Sequence, residues 1–107
     1  MSESDLNIAQ KISQRIKKKD PSAIVWLFGS HARGDAREDS DWDILVLIDH
    51  PKKDRSQESK YRDEIFNLEL DLGVPISTFI FSKSDWESKY AATPFYENVQ
   101  HEGIKLK

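Results

Sequence analysis

Two apolar runs with very little chain between them set what this protein can fold into. Ala23-Ile24-Val25-Trp26-Leu27-Phe28 and Ile44-Leu45-Val46-Leu47-Ile48 are unbroken and rich in β-branched and aromatic residues. They read as strands over 23–28 and 43–48, each buried on both faces. The polar stretch joining them, residues 30–40, is eleven residues long and holds Gly34, so it fits at most a short helix or a turn. A parallel crossover needs a dozen or more residues. The pattern therefore predicts a mixed sheet, not a doubly wound parallel one.

The remaining elements follow from periodicity and punctuation. Ile8, Ile12 and Ile16 recur every fourth residue, which predicts an amphipathic helix over 6–19, capped by Ser2 or Ser4 and stopped by Pro21. Lys17-Lys18-Lys19 falls in its last turn, where cations complement the helix dipole. A charged loop is expected over 50–56. Ser56 then caps a helix running to about residue 70, with Tyr61, Ile65, Leu68 and Leu72 inward and Gly73 at its end. Residues 76–81 read as a third strand with Pro75 at its start. Ser84-Asp85-Trp86-Glu87 has the form of a capping box, and Thr93-Pro94 is a second helix start, with Phe95, Tyr96 and Val99 facing the core before Gly103. The expected architecture is α/β (α+β), a small three-stranded mixed sheet covered by helices, in a single domain over 1–107.

Composition narrows the function classes. Nineteen acidic against sixteen basic residues give a net charge of -3, which disfavours nucleic acid and anionic membrane as partners. The absence of cysteine excludes disulfides, thiolate metal sites and thiol nucleophiles. No apolar run approaches the roughly twenty residues of a spanning helix, and Met1-Ser2-Glu3-Ser4-Asp5 is unlike a secretory signal. A cytoplasmic location is expected.

The segment that carries chemistry is Gly29-Ser30, ten residues, then Asp41-Trp42-Asp43. Gly29 closes the first strand and lets a phosphate approach the backbone with no Cβ in the way. Ser30 offers a hydroxyl, and a helical turn starting there would present free N–H groups to an anion. Asp41 and Asp43, two apart at the start of a strand, project to one face, and Trp42 to the other. Two such carboxylates suit a hard cation such as Mg²⁺. Phosphate cradle and acidic metal site together are the equipment of phosphoryl or nucleotidyl transfer. Taken singly, a Gly-Ser after a strand is ordinarily a turn, and an Asp-x-Asp a loop or cap. Their joint position at the ends of adjacent strands is what gives them meaning.

At Leu27-Phe28-Gly29-Ser30-His31-Ala32-Arg33-Gly34-Asp35-Ala36 and Ser40-Asp41-Trp42-Asp43-Ile44-Leu45-Val46, the sequence resembles the nucleotidyltransferase superfamily that includes DNA polymerase beta. It is most similar to the small stand-alone members, the minimal nucleotidyltransferases. The resemblance implies that Gly29 and Ser30 hold a nucleoside triphosphate, with ATP the expected one, and that Asp41 and Asp43 are catalytic and ligate Mg²⁺. The product would be a nucleoside monophosphate joined to an acceptor. Arg33 and Arg37 would neutralise phosphate charge or, equally, Arg33 would brace the loop by pairing with an aspartate. His31 is expected at the surface.

The resemblance is incomplete at one position. Family members supply a third carboxylate from a later strand, and the matching segment, Val74-Pro75-Ile76-Ser77-Thr78-Phe79-Ile80-Phe81, has no acid. Ser77 takes that place, and a neutral hydroxyl is neither a negative charge nor a general base near neutral pH. Glu69 and Asp71 precede the strand, either reaching in or lying exposed at a helix end. With the core fold using all 107 residues, the acceptor is expected on another chain. By resemblance, that partner is a helical HEPN-type protein in a toxin–antitoxin pair. Two functions stand: an Mg²⁺-dependent nucleotidyltransferase, and a catalytically degenerate module that binds nucleotide or partner.

Overall fold

The computed structural model describes residues 2–49 and 55–106. In chain order the elements are α1 (Glu3–Lys19), β1 (Ile24–Phe28), α2 (Gly29–Arg33), β2 (Trp42–Ile48), α3 (Arg55–Leu72), β3 (Ile76–Ser82), α4 (Lys83–Ser88), α5 (Pro94–Glu102) and β4 (Ile104–Leu106). The strands form one sheet in the order β3-β2-β1-β4. β1 runs antiparallel to both β2 and β4, while β2 and β3 are parallel and joined by the α3 crossover. The mixed sheet expected from the short first connection is present.

The sheet has four strands instead of three. After α5, residues Ile104–Leu106 pair with β1 from Leu27↔Ile104 to Val25↔Leu106 and cover its outer edge. Three residues are too few to show an alternation, so nothing local in the sequence announces this strand.

Helices cover both faces. Ala9, Ile12 and Ile16 of α1 and Tyr61, Ile65 and Leu68 of α3 pack on Val25, Leu27, Ile44, Val46 and Ile48. On the opposite face, Trp86 of α4 and Val99 of α5 pack on Leu45 and Leu47, with Trp26, Phe28, Phe81 and Phe95 beside them. β2 is enclosed on both sides, as its continuous apolar sequence requires. β1 is less symmetric: Val25 and Leu27 are fully buried, whereas Ile24, Trp26 and Phe28 are only partly so.

Helix ends agree with their caps, with two corrections. The Ser2 hydroxyl accepts the Asp5 N–H, and the Thr93 hydroxyl accepts the Tyr96 N–H. The α4 cap is Ser82, whose hydroxyl accepts the Asp85 N–H at 3.1 Å, and not Ser84, which lies inside the helix. β3 ends at Ser82, so the chain turns two residues before the capping-box pattern would have it do so. α3 begins at Arg55, so Ser56 lies inside the helix and is not its cap, and residues 50–54 of the expected loop lie outside the described residues.

Candidate active site

The site is built where β1 ends beside the start of β2. Their antiparallel register sets Phe28 opposite Asp43, so the residue after Phe28 lies alongside that aspartate. That residue is Gly29, with φ +76, in the left-handed region that glycine tolerates. A Cβ built on Gly29 would overlap the Asp43 carboxylate, running into Oδ2 and lying 3.0 Å from Cγ. The missing side chain is thus what admits the carboxylate to the turn. Gly29 also opens α2, whose short coil closes with Gly34 and Asp35 N–H groups donating to the Ser30 carbonyl at 3.0 and 3.1 Å. Gly29 and Asp43 therefore meet at one point, with Ser30 the next residue of the turn.

Asp41 joins them from the same face of β2. It precedes the strand by one residue, and the following Trp42 N–H donates to the Pro75 carbonyl at 2.9 Å, anchoring β2 against β3. Trp42 faces the other way into the α1–α3 core and is 2% exposed, as alternation requires. In the parallel β2–β3 ladder Asp43 is paired with Ser77, and the Ser77 hydroxyl donates to Asp41 Oδ2 at 2.8 Å. The hydroxyl read as standing where a third acid would be thus touches Asp41, from the strand beside Asp43. Among the described residues no group of three or more His, Cys, Asp or Glu side chains gathers to hold a metal.

The electrostatics follow from this packing. The Asp43 carboxyl is pushed above its ordinary value, first by burial and second by the charge of Asp41. His31 and Arg33 pull weakly the other way. An anionic Asp43 is therefore partly desolvated and lies beside a second acid, an arrangement that a bound cation relieves. Two hard oxygen donors with an adjacent hydroxyl fit Mg²⁺, which is commonly held by one or two carboxylates together with substrate phosphates.

Several neighbours have structural duties. Arg33 pairs with Asp35 and with Glu102 of α5, each at 3.2 Å, so the bracing role holds for it. The Arg37 side chain is exposed, and its backbone N–H donates to the Ser40 hydroxyl at 2.8 Å in the turn leading to Asp41. Glu69 accepts the Ile76 N–H at 3.1 Å, and Asp71 pairs with Arg15 at 2.9 Å, which commits both carboxylates to contacts of their own.

His31 departs from the surface position expected for it. It is 9% exposed, its ring lies 3.8 Å from that of Trp42 in a stack tilted by 12°, and Nε2 is 3.2 Å from the Ser40 carbonyl. It clamps the α2 turn to the start of β2. No spacing in the sequence links residues 31 and 42, and only the sheet register brings them together.

A short helix after a strand, a glycine that admits a carboxylate to the turn, and two carboxylates at the entry of the neighbouring strand thus lie together at one end of a mixed sheet. The chain belongs to the nucleotidyltransferase domain family, which it matches over residues 9–104. Two Methanocaldococcus jannaschii proteins that each bear the name "Putative protein adenylyltransferase" are similar to it. One is 33% identical over 97 residues, spanning 83% of this chain and 90% of that protein. The other is 34% identical over 86 residues, spanning 78% of this chain but only 58% of that protein. Among solved structures, a chain of a toxin–antitoxin crystallised with AMP-PNP shares the fold, with a TM-score of 0.66 at 23% identity over 92% of this chain and 72% of that one.

Proposed function

We propose that this chain is a minimal nucleotidyltransferase, acting as one domain over 1–107 in the cytoplasm, which moves AMP from ATP to a hydroxyl on a partner protein. The observation that carries the proposal is the close approach of the Gly29 turn to the Asp43 carboxylate, which supports reading the turn and the acidic pair as one site. In this reading Gly29 and Ser30 receive the triphosphate through backbone N–H groups and the Ser30 hydroxyl. Asp41 and Asp43 are the catalytic carboxylates and would hold Mg²⁺, which supplies charge stabilisation as the phosphate bond is exchanged. The acceptor oxygen bonds to the α-phosphorus, the bond to the β-phosphate breaks, and pyrophosphate leaves with its electron pair. Ser77 is no base at neutral pH, so the acceptor proton passes to a group on the partner or to solvent. The names of the M. jannaschii relatives support protein as the acceptor, and the toxin–antitoxin neighbour supports a paired protein. A helical HEPN-type chain is the partner we propose.

The test is label transfer. ATP labelled at the α-phosphate should mark the partner in the presence of Mg²⁺, and ATP labelled at the γ-phosphate should not. Marking from the γ-label, or from neither when the partner is present, would overturn the reading. The same assay addresses Ser77. Ser77→Asp adds a third carboxylate to the cluster and should raise transfer at least tenfold, about 1.4 kcal/mol of additional transition-state stabilisation. An unchanged rate would mean that position 77 does not limit the chemistry.

One observation favours a second reading. With a hydroxyl at position 77 hydrogen-bonded to Asp41, the cluster carries two negative charges instead of three, which suits a module that binds nucleotide or partner without turnover. Partner inhibition that persists in the Asp41→Asn, Asp43→Asn double variant would favour it.

A further inference from the structure

Beside the acids the sheet presents an aromatic surface that nothing in the transfer chemistry requires. Phe28, Phe79 and Phe95 form a closed triangle, with ring centroids 5.5 Å apart for Phe28–Phe79, 5.3 Å for Phe28–Phe95 and 5.5 Å for Phe79–Phe95. They come from β1, β3 and α5, and they end the aromatic cluster that begins with Trp86, buried to 1% exposure. Burial falls along that series until Phe79, which is 38% exposed.

The position of the triangle relative to the carboxylates is fixed by the ladders. Phe28 is the direct cross-strand partner of Asp43, and such pairs have Cβ atoms about 5 Å apart. Phe79 follows Ser77 by two residues on the same face of β3, a step of about 7 Å, and Ser77 is the partner of Asp43 on its other side. The apolar rings thus begin where the acidic pair ends, about one ribose length from it. A singly exposed phenylalanine needs no explanation. A partly exposed ring that continues a packed aromatic cluster to the rim of an anion- and cation-directed site is a different case.

We infer that the Phe28–Phe79–Phe95 surface is the nucleobase platform of this site, with Phe79 the ring on which the base of the triphosphate stacks. The inference rests on the nucleotide reading above, and its occupant is chosen by continuity: a ligand with its phosphates at Gly29–Ser30 and its α-phosphate at Asp41–Asp43 has only its sugar and base left to place. A π-face stacks on any base, so the platform selects for an aromatic heterocycle, with purines above pyrimidines by stacking area, and does not read hydrogen-bonding edges.

Calorimetric titration with Mg²⁺-ATP and with Mg²⁺-tripolyphosphate, which has the phosphates and no base, tests this. Phe79→Ala should weaken ATP binding about tenfold, within the range for loss of one base–aromatic stack, while changing tripolyphosphate binding less than twofold. Phe79→Trp should restore ATP binding. Equal weakening of both ligands, or no weakening of ATP, would overturn the platform and leave the nucleotide reading intact. An unchanged ATP affinity with a raised KM for the acceptor would assign the rings to the acceptor and overturn the platform as well. Failure of the unaltered protein to bind either ligand would overturn both readings at once.

Discussion

Asp43→Asn is expected to lower nucleotidyl transfer about 10³-fold and, in the same protein, to raise the thermal stability of the ligand-free fold at neutral pH. The first effect follows from removing one of two anionic oxygen donors. Charge stabilisation by a held cation contributes several kcal/mol to such reactions, and each 1.36 kcal/mol is tenfold in rate. The second follows from the cost of keeping that anion where it is. Burial, and then the neighbouring Asp41, raise the Asp43 carboxyl above its ordinary value of 3.8. Between the unfolded and folded values the native state binds more protons than the unfolded chain, so this group favours folding at low pH and opposes it increasingly as pH rises through that window. Asparagine is close in size and carries no charge, so the opposition disappears. Melting curves should therefore show the variant above the wild type at pH 7, with the gap closing as pH falls towards the carboxylate range. A gap independent of pH, or a variant less stable than the wild type at neutral pH, would contradict this. By the same proton competition, Mg²⁺ binding to the ligand-free protein should weaken on acidification while the pH is still above 3.8.

Gly29→Ala should be strongly destabilising. At φ +76 an L-residue is strained by about 1–2 kcal/mol, and here the added carbon also overlaps the Asp43 carboxylate across the strand pair. The two together should cost about 3 kcal/mol, which lowers the midpoint of thermal unfolding by about 10–20 °C for a domain of this size. Gly34→Ala is the matching control. It has φ +84, but a Cβ there meets nothing within 4 Å, so only the backbone strain applies. Differential scanning calorimetry of the two variants separates strain from collision. Equal losses would mean that Asp43 does not need the gap at Gly29.

These two predictions concern residues that the sequence singled out, because the physics locating them is local. A glycine closing an apolar strand and two acids flanking Trp42 are governed by strand alternation, which sends Asp41 and Asp43 to one face and Trp42 to the core. The length of the 30–40 segment fixed the sense of β1 against β2. Ser77 was reached through the resemblance, as the residue in place of a third acid, whereas its pairing with Asp43 is set by the β2–β3 register that only the fold supplies. What escaped was set by contacts distant in sequence. β4 exists because β1 offers an open edge to three residues whose own pattern is mute. His31 is buried because the sheet brings Trp42 beneath it. The α4 cap moved from Ser84 to Ser82 because β3 ends there, although Ser84 and Glu87 have the spacing of a capping box. Phe28, Phe79 and Phe95 come from three elements, and no sequence period relates them.

The convergence of the Gly29–Ser30 turn with Asp41 and Asp43 on one metal-bound triphosphate is tested most directly by calorimetry. ATP is titrated into the wild type and into the Asp41→Asn, Asp43→Asn double variant, each with and without Mg²⁺. The expected result is saturable binding by the wild type that depends on Mg²⁺, with that dependence absent from the double variant. ATP binding that is indifferent to Mg²⁺, or Mg²⁺-dependent binding that survives loss of both carboxylates, would contradict it.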